Sequence, residues 1–152
     1  MIPIYEIKFN DSNDVILLEK DAFDNDICVN CPYTTVELFR EHFDIHHMIE
    51  EYLYVLYLNI KGKPLGIFQL SHGTMDMSVV GSKEIFLRAI LLMANSIIMI
   101  HNHPSGNILP SKKDDEVTKK IKQAGDLLDI KLRDHIIIGR DSYYSYCEKC
   151  RI

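Results

Sequence analysis

The chain has 152 residues, of which 47% are apolar and 26% charged, and its net charge is -5; that suits one globular domain with a real core. The acidic balance, with a pI near 5.8, argues against broad non-specific binding to nucleic acid, which needs a basic surface, and leaves only a local basic patch open. No apolar run is long enough to span a membrane, and the opening MIPIYEIKFNDSND lacks the segments of a secretory signal, so a cytoplasmic location is expected.

In chain order, residues 4–9 alternate like a strand and residues 15–18 suggest another, while 21–30 are turn-rich. Pro32 with Thr34 and Thr35 opens a helical pattern in which Val36, Phe39 and Phe43 share one face, fading at 45–48. Residues 52–58 (YLYVLYL) read as a buried strand, 59–64 as a hairpin turn and 65–70 as the returning strand. Ser82 then caps a helix with Ile85, Phe86, Ala89, Ile90 and Met93 on one side. A strand over 96–100, a helix over 111–128 and strands over 136–138 and 143–146 complete the chain. There is no internal repeat. Alternating helices and strands predict an α/β (α+β) class with helices packed on a mixed sheet.

The stretch HNHPSGNILPSKKD, residues 101–114, lies where α/β enzymes place their chemistry, between a strand and the start of a helix. His101 and His103 stand two apart, so at a strand end both imidazoles share a face. A third ligand has to come from another element. Asp114 is well placed if the loop over 104–110, stiffened by Pro104, Gly106 and Pro110, folds back over the strand end. Two His and one Asp would hold zinc with a fourth position left for water. A plainer reading exists for part of the motif: Ser111 and Asp114 have capping-box spacing, with Asp in place of Glu or Gln. The two roles are compatible.

These residues carry a family resemblance. His101-x-His103-Pro104 followed by Ser111-x-x-Asp114 resembles the JAMM (MPN+) metalloprotease motif, and the fuller HNHPSG with PS-x-x-D resembles its RadC branch. Ser71-His-Gly-Thr74, Ser82-Lys-Glu-Ile-Phe86, Ala124-Gly125 and Asp134-His-Ile-Ile-Ile-Gly139 match as well, so the resemblance covers roughly residues 32–146. It implies a JAB/MPN-like mixed sheet flanked by helices, layered as in cytidine deaminases, and zinc on His101, His103 and Asp114. It also implies a glutamate base at a strand start, here Glu51, with Glu50 open because a one-residue slip changes the face. The activity implied is zinc-assisted hydrolysis of peptide or isopeptide bonds, with Glu51 as the base and Ser111 donating to the developing oxyanion. Glu84 reads as a first-turn dipole partner, and Asn102 and Ser105 as loop-shaping residues. Asp134 and His135 read either as a structural pair or as a layer behind the ligands.

Two departures stand out. RadC-like chains usually carry an N-terminal helical module resembling DNA binders; the segment 1–31 before the matched domain, 32–152, does not read that way, so direct binding of nucleic acid is not expected. All four cysteines fall into two equally spaced pairs, Cys28/Cys31 and Cys147/Cys150. If the two segments meet, the thiolates would form a second, structural zinc site; redox pairs or unrelated thiols are the alternatives. Competing functions are a non-catalytic interaction module and a DNA-repair or mobile-element accessory factor, as the RadC name suggests. The His-x-Glu and Pro-Cys-x-x-Cys arrangement of zinc nucleobase deaminases is missing. The expected partner is a peptide or protein substrate, selected by loops such as 73–81; the sequence is silent on oligomeric state.

Overall fold

The computed structural model describes residues 1–24, 27–73 and 80–152. Their elements are β1 (Ile2–Phe9), β2 (Val15–Phe23), α1 (Pro32–Phe43), a single 3-10 turn (Ile45–His47), β3 (Glu51–Leu58), β4 (Pro64–Gly73), α2 (Ser82–Leu91), β5 (Ser96–Asn102), α3 (Lys112–Leu128), β6 (Lys131–Ile138) and β7 (Tyr143–Ser145). The strands form one mixed sheet in the order β2-β1-β4-β3-β5-β6-β7. β1–β4 and β5–β6 are parallel and the other pairs antiparallel. The fold is therefore the α/β arrangement that the alternation of patterns predicts.

The central strands are apolar on both faces, as strands covered on both sides must be. On β3, Leu53, Val55 and Tyr57 point to one core with Ile85 and Phe86 of α2 and Val117 and Ile121 of α3. Tyr54, Leu56 and Leu58 point to the other, with Val36, Leu38 and Phe39 of α1. β5 divides the same way, Ile97 and Met99 against Ile98 and Ile100. The period-2 alternation thus carries His101 to the face shared with α2 and α3. At Gly125 of α3 a Cβ would collide with the Ile130 carbonyl, so only glycine lets the helix pack this closely on the turn that follows it.

Most strands differ at a boundary from the sequence reading, β2, β5 and β6 the most informatively. β2 continues to Phe23 because its whole length pairs with β1, Ile2 opposite Phe23; the turn-prone composition near Asp21 is overridden by ladder hydrogen bonds. Residues 2–23 accordingly extend the same sheet as the rest. β5 runs to Asn102, and β6 begins at Lys131 beside Ser96. No helix among the described residues is long and apolar enough to cross a membrane. Positions 74–79 of the loop expected to select substrate, together with Thr74 of the matched Ser71-His-Gly-Thr74, lie outside the described residues.

Candidate metal centre

His101 occupies the end of β5, between Leu53 of β3 and Ile137 of β6, and is fully buried. His103 N–H donates to the Ile138 carbonyl at 3.0 Å, which carries the strand direction one step further and keeps both imidazoles on one face. The chain then turns back. Gly106 N–H donates to the His103 carbonyl at 2.9 Å, with φ +79° at Gly106, a conformation that glycine adopts at little cost. His103 Nδ1 lies 2.6 Å from the Asn107 carbonyl. A carbonyl only accepts, so the Nδ1 hydrogen is committed there and the Nε2 lone pair faces inward.

The returning loop delivers α3. Ser111 is its N-cap and the capping box is complete: Ser111 Oγ accepts from Asp114 N–H at 3.2 Å, and Asp114 Oδ2 accepts from Ser111 N–H at 2.7 Å. The box also holds the buried Asp114 carboxylate still. Its Oδ1 lies 3.4 Å from His101 Nε2 and its Oδ2 3.5 Å from His103 Nε2, while the two Nε2 atoms are 3.0 Å apart. Two imidazole nitrogens and a carboxylate converging from a strand, a loop and a helix start are a donor set of the kind that binds a divalent metal with open positions, and the spacing of the three groups could hold one ion.

The charges support that fit. Burial alone would raise the Asp114 carboxyl, but His103, His101 and the Ser111 hydrogen bonds outweigh it and hold it well below the usual carboxylate range. Burial pushes His101 well below the usual imidazole value, and His135 adds to the effect. For His103, burial is outweighed by the Asp114 carboxylate and the Asn107 carbonyl, and its value rises.

Glu51, Ser111, His103 and Asp114 line one cavity of about 420 Å³, with Ser105 and Asn107 on the returning loop. Glu51 reaches it by register: Leu53 is opposite His101, and Glu51 lies two residues back on the same face. Burial raises its carboxyl above the ordinary value, against the pull of His103. Glu50 is exposed and outside the cavity wall. Asn102 does more than shape a loop. Buried on the opposite face, it accepts from Tyr52 N–H at 2.7 Å and donates to the Glu50 carbonyl at 2.9 Å, clamping the backbone on both sides of Glu51. No spacing rule announces that role, because the partner lies fifty residues away.

Behind the ligands, Asp134 and His135 divide their tasks. Asp134 accepts from the N–H groups of His135 and Cys147 and from the Ser145 hydroxyl, a structural clamp on β7 and the turn after it. His135 Nε2 lies 2.9 Å from His101 Nδ1, and its ring stacks on Tyr146, with centroids 5.1 Å apart.

The four cysteines, expected to hold a structural zinc if their segments meet, lie in two local turns. Their segments do meet at one edge, where Cys31 and Cys147 border a small cavity of about 80 Å³ with Arg133 and Asp134. The structural zinc site expected of Cys28, Cys31, Cys147 and Cys150 is not assembled there. All four are free thiols, and no three of their sulfurs lie within 4.8 Å of one another among the described residues. Local hydrogen bonds are the physical reason. Cys28 Sγ donates to the Lys61 carbonyl at 3.1 Å, with Asn30 Oδ1 at 3.3 Å, and so turns to the hairpin after β3. Cys31 Sγ faces Thr34 Oγ1 at 4.0 Å in the first turn of α1. Cys150 is exposed and closes the last turn of the chain, its N–H donating to the Cys147 carbonyl at 3.0 Å with φ +52°. Each equal spacing thus serves its own turn.

Asp44, His46 and His47 form a further ligand-type group, unnoticed in the sequence. Its shortest contact, 2.7 Å between His47 Nδ1 and Asp44 Oδ1, accompanies the backbone bond from His47 N–H to the Asp44 carbonyl and is accounted for as closure of the turn after α1.

Comparison with known proteins identifies a family for the chain. The model of the RadC-like JAB domain family matches residues 29–151. A UPF0758 protein of Chlorobaculum parvum is 45% identical over 97 residues, 64% of this chain and 44% of its own length. One from Caldanaerobacter subterraneus is 40% identical over 121 residues, 80% of this chain and 51% of its own. One from Streptococcus gordonii is 43% identical over 106 residues, 70% and 47% of the two chains. The chain spans about half the length of the curated relatives it matches.

Proposed function

The chain belongs to the RadC-like JAB domain family, and on that premise we propose that it is a zinc-dependent hydrolase of peptide or isopeptide bonds. The observation that carries this reading is the convergence of His101 Nε2, His103 Nε2 and the Asp114 carboxylate beside a cavity that also holds the Glu51 carboxyl and the Ser111 hydroxyl.

Zinc held by His101, His103 and Asp114 would supply a Lewis acid that polarises the scissile carbonyl and makes water a better nucleophile at neutral pH. Glu51 takes a proton from the attacking water at its carboxylate and passes it to the leaving nitrogen as the C–N bond breaks, so the water adds across that bond. Burial suits Glu51 to both halves of the task by bringing its pKa up towards working pH. Ser111 Oγ accepts from Asp114 N–H; its hydroxyl hydrogen, which faces the Asp114 carboxylate in the free site, would turn to the carbonyl oxygen as negative charge grows there. Ser105, Asn107 and the rest of the returning loop form the cavity rim where the substrate chain would lie.

Peptide-library cleavage by the purified chain tests the reading. Chelator-sensitive cleavage, restored by zinc and lost in Glu51→Gln, is the expected result. Repeated absence of cleavage by a zinc-loaded, folded chain would move the reading to a binding module.

A further inference from the structure

We propose that His135 and Thr118 are positioning residues that determine which nitrogen of His101 faces the metal, an inference that rests on the metal reading above. Neither touches the cavity, and both are buried. They complete a closed path between two of the three ligands. His101 Nδ1 meets His135 Nε2 at 2.9 Å. His135 Nδ1 meets Thr118 Oγ1 at 2.6 Å, and Thr118 Oγ1 meets the Asp114 carbonyl at 2.6 Å.

Counting hydrogens along this path leaves one solution. Thr118 has a single hydroxyl hydrogen and two contacts at the same short distance. The carbonyl of Asp114 only accepts, and two oxygens approach this closely only with a hydrogen between them. The hydroxyl hydrogen therefore goes to Asp114. Thr118 Oγ1 must then accept from His135, which places the His135 hydrogen on Nδ1 and leaves its Nε2 as a lone pair. That lone pair accepts from His101 Nδ1–H. His101 Nε2 is thereby left as a lone pair aimed at His103 Nε2 and Asp114 Oδ1, as a metal ligand must be. His103 reaches the same state by a separate route, through the Asn107 carbonyl.

The path depends on a hydroxyl at position 118 and an imidazole at position 135. Serine would keep the hydroxyl, whereas valine would keep the shape and leave His135 Nδ1–H without an acceptor. The His135 hydrogen would then be drawn to Nε2, facing His101 Nδ1, and His101 would be driven to carry its own hydrogen on the atom needed by the metal. The stacked Tyr146 ring holds the His135 plane, and the Tyr146 hydroxyl is itself anchored by donation to Asp115 at 2.7 Å.

Cobalt(II) affinity, measured by competition with a chromophoric chelator, tests the assignment in Thr118→Val, Thr118→Ser and His135→Phe, the last of which keeps an aromatic ring against Tyr146. Metal-free melting of the same samples reports folding. Cobalt affinity is expected to fall about 10- to 100-fold in Thr118→Val and His135→Phe and to stay near wild type in Thr118→Ser. Wild-type affinity in folded Thr118→Val and His135→Phe would overturn the assignment. Long-range proton–nitrogen NMR of the metal-free wild type needs no variant: a hydrogen on His135 Nδ1 supports the path, and a hydrogen on Nε2 overturns it. A wild-type chain that takes up no cobalt would overturn the metal reading itself, and this assignment with it.

Discussion

Replacing Ser111 with alanine separates two jobs that one oxygen performs. The first is structural. Ser111 Oγ accepts from Asp114 N–H at 3.2 Å at the start of α3, and losing an N-cap serine to alanine costs about 1 kcal/mol. The reciprocal bond, Ser111 N–H to Asp114 Oδ2 at 2.7 Å, runs from the backbone and survives the substitution, so the ligand carboxylate keeps its anchor. For a domain of this size the loss lowers Tm by about 2–4 °C. The second job is catalytic. Loss of one donor to a developing oxyanion costs roughly 100- to 1,000-fold in rate, far more than a folded protein at assay temperature loses from its cap. Ser111→Gly sharpens the contrast, because glycine at an N-cap costs only a few tenths of a kcal/mol, roughly, yet supplies no donor. Metal-free melting and initial rates of zinc-dependent cleavage at 25 °C measure the two effects independently. If Ser111→Gly cleaves at the wild-type rate, the hydroxyl is a cap and nothing more. If Ser111→Ala melts with the wild type, the capping account fails.

Asn102→Ala should destabilise the chain by about 3 kcal/mol, because Tyr52 N–H and the Glu50 carbonyl lose buried partners; urea denaturation measures it, and a cost below about 1 kcal/mol would show that neither group depended on Asn102. Metal affinity should fall on acidification from a pH above the ordinary imidazole value of 6.5. In the metal-free chain His103 binds its proton more tightly than usual, and the metal must displace that proton. Asp114, held low, stays ionised and adds no dependence there. A titration of cobalt affinity flat between pH 8 and 6 would contradict this. Metal analysis of the zinc-loaded chain should give one equivalent, because Cys28, Cys31, Cys147 and Cys150 do not converge as a ligand set; two equivalents, falling to one in Cys28→Ser plus Cys31→Ser, would reinstate the cysteine site.

Much of the His-His-Asp centre was legible in one short stretch of chain. The spacing of His101 and His103 implied a common face, Pro104, Gly106 and Pro110 implied a returning loop, and Ser111 with Asp114 implied a helix start. Each inference is local, governed by strand period, turn chemistry and capping within fourteen residues. The cysteines show the limit of such spacing. Two matched pairs suggested one site, but whether four sulfurs converge depends on how distant turns face each other, and Cys28 turns to the Lys61 carbonyl instead. The family resemblance pointed to Glu51 or Glu50, and strand register now distinguishes their positions: Leu53 lies opposite His101, which brings Glu51 to the cavity and leaves Glu50 exposed. Asn102, Thr118 and His135 could not be ranked from sequence alone. Asn102 looks like a loop residue until Tyr52 N–H is placed against it, and Thr118 like an ordinary helix residue until β6 brings His135 to its hydroxyl.

By itself, then, the sequence determined the kinds of element, the α/β class and three groups able to hold a metal, because those depend on periodicity and on spacing along the chain. Only the tertiary structure decided which carboxylate shares the cavity with them and which residues stand behind them. Those depend on contacts between β3, β5, β6 and α3, segments far apart in the chain whose pairing register places each donor beside one particular acceptor.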